Sequence, residues 1–312
     1  MKIAIIGAGL SSCNLYKNLN KEKFQITIFE KARGTGGRLS TKYIGDKFID
    51  HGTPYINTNN SALSKFLDDK SNENILSKIN NNYYPTNGIN KLCSSLINKE
   101  DLVKNTRIIK TKFINNSWTL FDENNKTYEG FDFIVYTIPA TQILENDFDL
   151  EEQTKEDLKN VTYDAMATLI CHREKKCTFS FSEFEKNDMF FKVINNSSKY
   201  KYEEFESYVF HLNKDFVQEN ISLCKDEIFK LVHKKIKQEF NLDLKDDFVV
   251  IEHLWKYAFV KDFIKKDFII NENKAYAICG DYFNAVNLEA AYKSSKETAD
   301  EINSIYKKDK KC

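Results

Sequence analysis

The sequence predicts a mixed α/β protein built on a parallel sheet of the dinucleotide-binding type, and three observations predict it. The chain opens on a short apolar run, Ile3-Ala4-Ile5-Ile6, followed at once by Gly7-Ala8-Gly9 and a stretch of helical character. A second run, Gln25 to Phe29, ends in an acid, Glu30. Far along the chain another buried type of strand, Ala275 to Cys279, closes in Gly280-Asp281 and leads into a helix. Short apolar runs without alternation are what strands buried on both faces look like.

The first βαβ unit carries a fingerprint. Leu10, Leu15 and Leu19 are the apolar positions of its helix. Gly7 makes the tight turn, and Gly9 lets backbone approach a pyrophosphate at the positive helix end, so Gly7, Ala8, Gly9, Ser11 and Ser12 are candidate cofactor contacts. Ser12 stands where a third glycine is usual and is small enough for close helix–strand packing. Glu30 lies about 20 residues on, where a carboxylate accepts ribose hydroxyls, with Lys31 beside it. A second glycine-rich turn follows, Gly34-Thr35-Gly36-Gly37-Arg38. Gly37 allows close approach, and Arg38 can take a phosphate with two parallel hydrogen bonds. A domain for nicotinamide alone would usually run straight into its next helix.

Next come a short strand, Phe48-Ile49, and the Asp50-His51-Gly52 turn, in which His51 is either functional or a structural histidine. Ala62, Leu63, Phe66 and Leu67 have helical spacing; Tyr84 to Gly88 reads as a turn before a helix with Ile89, Leu92, Cys93 and Leu96 on one face. Arg107 to Phe113, Ser117 to Phe121 and Thr127-Tyr128 read as a β-meander, and Phe133 to Ile138 as a buried strand. From Glu151 to Phe268 the strands Ala165–171, 189–193, 208–212 and 248–254 flank an amphipathic helix with Ile228, Leu231, Val232, Ile236 and Phe240.

Composition excludes several classes. Lysine plus arginine and aspartate plus glutamate both number 46, so there is no net field to draw nucleic acid or an anionic membrane. The seven cysteines show no CxxC pair and no zinc spacing, which predicts no metal site and reduced thiols. The first strand starts near residue 2, so no signal peptide is expected, and no apolar run is long enough to span a bilayer. A cytoplasmic location is expected. The final charge run, Lys307 to Cys312, is expected to be a solvated tail.

The stretch Gly36-Gly37-Arg38-Leu39-Ser40-Thr41 followed by Asp50-His51-Gly52-Thr53-Pro54-Tyr55 resembles the flavin-containing amine oxidase superfamily, and within it bacterial renalase-like oxidoreductases. The likeness resumes at Tyr84 to Leu96, Val135 to Pro139, His253 to Ala258 and Gly280 to Ser295. It implies a two-dinucleotide-binding-type Rossmann domain holding FAD, with an interleaved α+β substrate domain: 1–60, 85–145 and 270–312 for FAD, and 61–84 and 146–269 for substrate. It also places Gly52 and Thr53 against the flavin, Ile108 near the adenine, Asp281 on a ribityl hydroxyl, and the helix starting near Asn287 and Leu288 at the flavin's pyrimidine edge. Departures are Thr53-Pro54 in place of the usual alanine-glutamine, and Asn284, Ala285, Asn287 and Ala290-Ala291 where glycines are common. Cys279 precedes the Gly280-Asp281 turn in a strand, so non-covalent FAD is expected.

The activity implied is hydride transfer from a small reduced substrate, of dihydronicotinamide or amine type, to flavin N5, with oxygen as acceptor and hydrogen peroxide as product. His51, Trp255, Lys256 and Tyr257 are the catalytic candidates, with His253 on the same strand. Strand alternation sends Trp255 and Tyr257 to one side and Lys256 to the other; core packing for Trp255 and a solvated charge for Lys256 are the competing readings. Two rivals stand beside this activity: an NAD(P)-dependent dehydrogenase, and a flavin-binding protein without turnover.

Overall fold

The computed structural model describes residues 1–177, 183–184, 187–220, 225–245 and 247–308. The side chains of the C-terminal charge run lie outside the described residues. The chain forms two compact units: Met1–Ser40, Tyr55–Tyr163 and Phe259–Cys312 make the first, Thr41–Pro54 and Asp164–Ala258 the second. It passes from one to the other between Ser40 and Thr41, between Pro54 and Tyr55, and within the strands Thr162–Arg173 and Val249–Asp262.

The first unit is organised on a six-stranded sheet, ordered Ile269–Asn271, Tyr276–Ile278, Phe133–Tyr136, Lys2–Ile6, Gln25–Phe29, Leu102–Val103. All neighbouring pairs are parallel except the first, which is antiparallel. The opening apolar run is the central strand, and alternation divides its side chains between two layers. Ile3 and Ile5 pack with Leu15, Tyr16, Ala299 and Ile302 of the helices Leu10–Asn18 and Leu288–Lys308. Ala4 and Ile6 pack with Phe29, Trp118, Leu120 and Tyr136, so the meander covers the other face. Its strands Ile108–Ile114, Ser117–Asp122 and Thr127–Phe131 pair antiparallel, and Asp147–Phe148 joins as a fourth. Trp118 is fully buried, and its Nε1 donates to the carbonyls of Lys274 (2.9 Å) and Ala275 (3.0 Å).

Two segments lie elsewhere than the sequence boundaries put them. Residues 61–84, expected with substrate, belong to the first unit. There the helix Ser61–Asn72, capped by Asn60 Oδ1 on Leu63 N (3.0 Å), buries Leu63, Phe66 and Leu67 against Leu76, Tyr83, Leu92 and Cys93. The expected turn at Tyr84 begins only after Pro85, because Asn82–Pro85 pairs with Leu76–Ile79. Thr41–Pro54, expected with the cofactor, belongs to the second unit. Its hairpin Thr41–Ile44/Lys47–Asp50 inserts Ile49 among Ile170, Ile194, Phe205 and Val209.

The second unit is a five-stranded sheet, ordered Glu183–Phe184, Phe190–Asn195, Glu206–Leu212, Thr162–Arg173, Val249–Asp262. The helix Lys225–Phe240 buries Val232, Ile236 and Phe240 against Phe190, Phe210 and Leu212. Leu231, expected on that apolar face, is 39% exposed, since it sits at the edge of the stripe.

Candidate functional sites

In the first unit the two glycine turns touch. Gly9 and Gly36 form an isolated parallel bridge, and Gly36 N donates to Ala8 O at 2.9 Å. Gly36 has φ +129°, and a side chain there would put its Cβ 2.1 Å from the carbonyl oxygen of Leu39, so only glycine fits. Gly9 differs: its φ is −80°, and a Cβ built on it meets nothing within 4 Å. That open space lies at the N-terminus of the helix Leu10–Asn18, where backbone donors have no intrahelical partner. Gly7 N donates to Phe29 O (2.8 Å), joining the two strand ends. Ser11 and Ser12 are buried in the helix's first turn, and Ser12 Oγ makes no hydrogen bond among the described residues.

Glu30 braces this turn. Its Oε2 accepts from Ala8 N (2.7 Å) and its Oε1 from Ala32 N (2.8 Å). Burial raises its pKa, while the Ala32 and Ala8 amides and the Lys31 charge pull it back down. Lys31 points to Gln142 Oε1 at 3.3 Å on the exposed side. Ile108 is buried in the core with Ala4, Ile6 and Phe29. It follows Thr106, whose amide donates to Glu30 O (2.9 Å).

Gly37 follows in the left-handed conformation, and Arg38 reaches Asp281. Burial works against the Arg38 charge, but Asp281 beside it raises its pKa overall. Asn287 is exposed and caps the last helix, its Oδ1 accepting from Glu289 N (2.9 Å) and Ala290 N (3.1 Å). Leu288 packs with the cluster around Leu63 and Phe66. So Gly7, Ala8, Gly9, Ser11, Ser12, Glu30, Gly37, Arg38 and Asp281 gather about the two turns, whereas the Asn287 side chain is used up as a cap. A dinucleotide fits these residues: there is open space over Gly9, a helix N-terminus, an unpartnered buried hydroxyl, and an arginine matched to two oxygens.

Gly52 and Thr53 belong to the second unit, with His51, Trp255, Lys256 and Tyr257. There His51 stacks on Trp255 (centroids 5.6 Å, 30°) and meets the edge of His253 (5.4 Å), which lies 4.3 Å from Trp255. The indole Nε1 of Trp255 is buried without a hydrogen-bond partner among the described residues. His253, Trp255 and Tyr257 are half-buried along one face of the strand Val249–Asp262, while Lys256 is exposed on the other. Lys256 is therefore apart from the ring cluster, as alternation requires. Burial, then the neighbouring His253, pushes His51 down to about 4, and Lys42 adds to this. His211, hydrogen-bonded to Thr168 (3.0 Å), is pushed by burial to about 3. Burial also lowers His253. The histidines are neutral at pH 7.

Sequence reasoning missed Thr41, Asn196, Lys199 and Tyr200, all of which hold Asp50. No local signal marks them: a lysine in a chain with 46 basic residues reads as a solvated charge.

Residues 5–69 match the NAD(P)-binding Rossmann-like domain family. The whole fold is similar to a protein from Exiguobacterium sp. 255-15 assigned as a protoporphyrinogen oxidase (TM-score 0.70, 10% identity, 97% of this chain and 98% of that one). It is also similar to putrescine oxidase with putrescine bound (TM-score 0.67, 10% identity, 97% and 99%). A third is a fatty acid isomerase from P. acnes that produces CLA (TM-score 0.66, 10% identity, 96% and 98%). These likenesses establish a mixed α/β fold with a Rossmann-like domain shared with oxidases and an isomerase; at this identity they do not carry a reaction. No described helix is long and apolar enough to cross a membrane.

Proposed function

We propose that the chain is an FAD-dependent oxidoreductase of the renalase-like, amine oxidase type, holding its cofactor without a covalent link. One observation carries the reading: the second glycine turn lies directly on the first, through Gly9–Gly36, and hands Arg38 to Asp281. A site for nicotinamide alone has no use for that second turn. In this reading Glu30 holds ribose hydroxyls, Gly9 and the helix N-terminus receive the pyrophosphate, and Ser12 Oγ finds its missing partner there. Arg38 exchanges part of its contact with Asp281 for phosphate oxygens, and Asp281 turns to a ribityl hydroxyl. Cys279 is fully buried and its thiol is pushed up to about 12, which supports an untethered cofactor.

When bound, FAD supplies hydride acceptance and passes the electrons to an acceptor, for which oxygen is our assignment, giving hydrogen peroxide. The protein's task is then binding and orientation. We assign substrate contacts to His51, Trp255 and Tyr257. This face is uncharged at pH 7, because His51 and His253 are held neutral and the adjoining Asp50 is bound to Lys199. Lys42 adds positive potential. A planar dihydronicotinamide-type ring suits such a face better than an ammonium group does. Anaerobic mixing decides: flavin bleaching by dihydronicotinamides and not by amines supports the reading, bleaching by amines alone reverses the substrate, and a protein that takes up no FAD removes the proposal. FAD uptake without reduction by any of them favours the second reading, flavin binding without turnover, for which the cap taken by Asn287 speaks.

A further inference from the structure

We propose that Lys199 is a positioning residue for this reaction: it clamps both ends of the Asp50–Pro54 turn and so fixes the His51 ring. The functional half of the inference rests on the reading above. Lys199 Nζ donates to Asp50 Oδ2 at 2.5 Å and to the carbonyl oxygen of Pro54 at 3.2 Å. One ammonium group thus ties the first residue of the turn to the last. Asp50 is completely buried, and its carboxylate also accepts from Thr41 Oγ1 (2.6 Å) and Tyr200 Oη (2.5 Å). Its amide donates to Asn196 Oδ1 at 3.0 Å.

The base of the clamp is itself fixed. Asn195 Oδ1 caps the helix Asn196–Tyr200 at Ser198 N (3.0 Å), Ser207 N donates to Ser197 Oγ (2.7 Å), and Phe48 N donates to Tyr202 Oη (2.7 Å). His51 therefore sits on a loop whose two ends cannot separate without stripping a buried cation of its partners. A buried ion pair adds little net stability over an apolar replacement, whereas it can fix one geometry. Here the geometry fixed is that of a ring stacked on Trp255.

Among the described residues, the titratable groups that act on His51 are His253, Asp50 and Lys42, and His51 and His211 act on each other. Asp50 is the one acid among them, and Lys199 compensates its charge. The test uses Lys199→Met, Lys199→Arg and, as a stability control, Arg173→Met, which breaks another buried pair of the same unit (Arg173 Nε–Glu206 Oε2, 2.5 Å). Histidine NMR of the apoprotein reads the His51 titration, and rapid mixing reads flavin reduction at saturating FAD. We expect Lys199→Met to raise the His51 midpoint by about one unit or more, as an uncompensated carboxylate does. Reduction should slow about tenfold or more while FAD affinity holds. Lys199→Arg should return both toward the parent, and Arg173→Met should lower the melting temperature without moving either.

An unchanged His51 titration in folded Lys199→Met overturns the proposal, as does Arg173→Met reproducing both effects. Should Lys199→Met not fold, Tyr200→Phe removes one donor from the same Asp50 oxygen and keeps the ion pair. A smaller upward shift is then expected, and none overturns the clamp. A parent protein that shows no flavin reduction at all removes the functional reading, while the His51 titration still decides whether Lys199 positions the turn.

Discussion

Arg38 and Asp281, 243 residues apart, meet in a two-pronged ion pair: Nη1 to Oδ2 at 2.5 Å and Nη2 to Oδ1 at 2.7 Å. The pair ties the second glycine turn to the turn before the last helix. A phosphate offers an arginine the same two-oxygen geometry as a carboxylate. The sequence reading gave Arg38 to a phosphate and Asp281 to a sugar chain; the structure joins them to each other.

The first prediction follows from that contact. The Arg38 side chain is 33% exposed, so solvent screens the pair, and the coupling between Arg38→Met and Asp281→Asn should be about 1 kcal/mol in the apoprotein. Denaturant midpoints of the two single variants and the double variant measure it. Strict additivity would show that the pair is incidental. Asp281→Asn should also slow reduction of the FAD-saturated enzyme; a parent rate would leave Asp281 purely structural.

Glu30 braces its own turn, a role hidden in the sequence. Its spacing from the glycines points to ribose, but its oxygens already hold the amides of Ala8 and Ala32. Glu30→Ala should therefore lower apoprotein stability by about 1–3 kcal/mol, leaving those amides unpaired, besides weakening FAD about tenfold to a hundredfold. Thermal melts with and without FAD separate the two losses. An unchanged apoprotein would show that water replaces the carboxylate at no cost.

Acid should destabilise the second unit. His51, held at about 4, and His211, at about 3, both titrate near 6.5 once unfolded. Between these values the unfolded chain binds more protons, so the stability due to the neutral rings is complete above pH 6.5 and drains away as pH falls toward 4. The loss is on the order of 2–3 kcal/mol per histidine at the acid end. Urea midpoints at pH 7, 5.5 and 4.5 should fall in the parent and fall less in His211→Gln. Parallel slopes would place the acid sensitivity elsewhere.

What was legible in the sequence is what chain neighbours decide. The Ile3–Ile6 run, Gly7-Ala8-Gly9 and Glu30 lie within one βαβ unit, so spacing alone set strand, turn and helix. The strand Tyr276–Ile278, expected over Ala275–Cys279, was legible because a run buried on both faces has a plain signature. The unit boundaries were harder. Thr41–Pro54 follows the cofactor motif directly in sequence, yet Ile49 is buried among residues more than a hundred positions away. The same holds for Asp50, whose partners Lys199 and Tyr200 lie 149 and 150 positions away. Contacts made only by tertiary folding leave no local period to read.

The sharpest prediction concerns the two glycines that touch. Gly36→Ala meets both a left-handed φ of +129° and a backbone oxygen 2.1 Å away, so the turn cannot form and the apoprotein should lose stability. Gly9→Ala meets neither. Its φ of −80° suits any residue, and its Cβ would enter open space. Alanine also restricts the unfolded chain, so the Gly9→Ala apoprotein should be as stable as the parent or more stable by roughly 0.4–1 kcal/mol. The open space exists, on our reading, for a pyrophosphate to approach the backbone. A methyl group there pushes the phosphates away from the helix N-terminus, and FAD affinity should fall about tenfold or more. Loss of cofactor in a protein that has kept its melting temperature is an outcome that general destabilisation does not produce. If instead Gly9→Ala takes up FAD as the parent does, no pyrophosphate lies over this turn, and the dinucleotide must be sought elsewhere in the first unit.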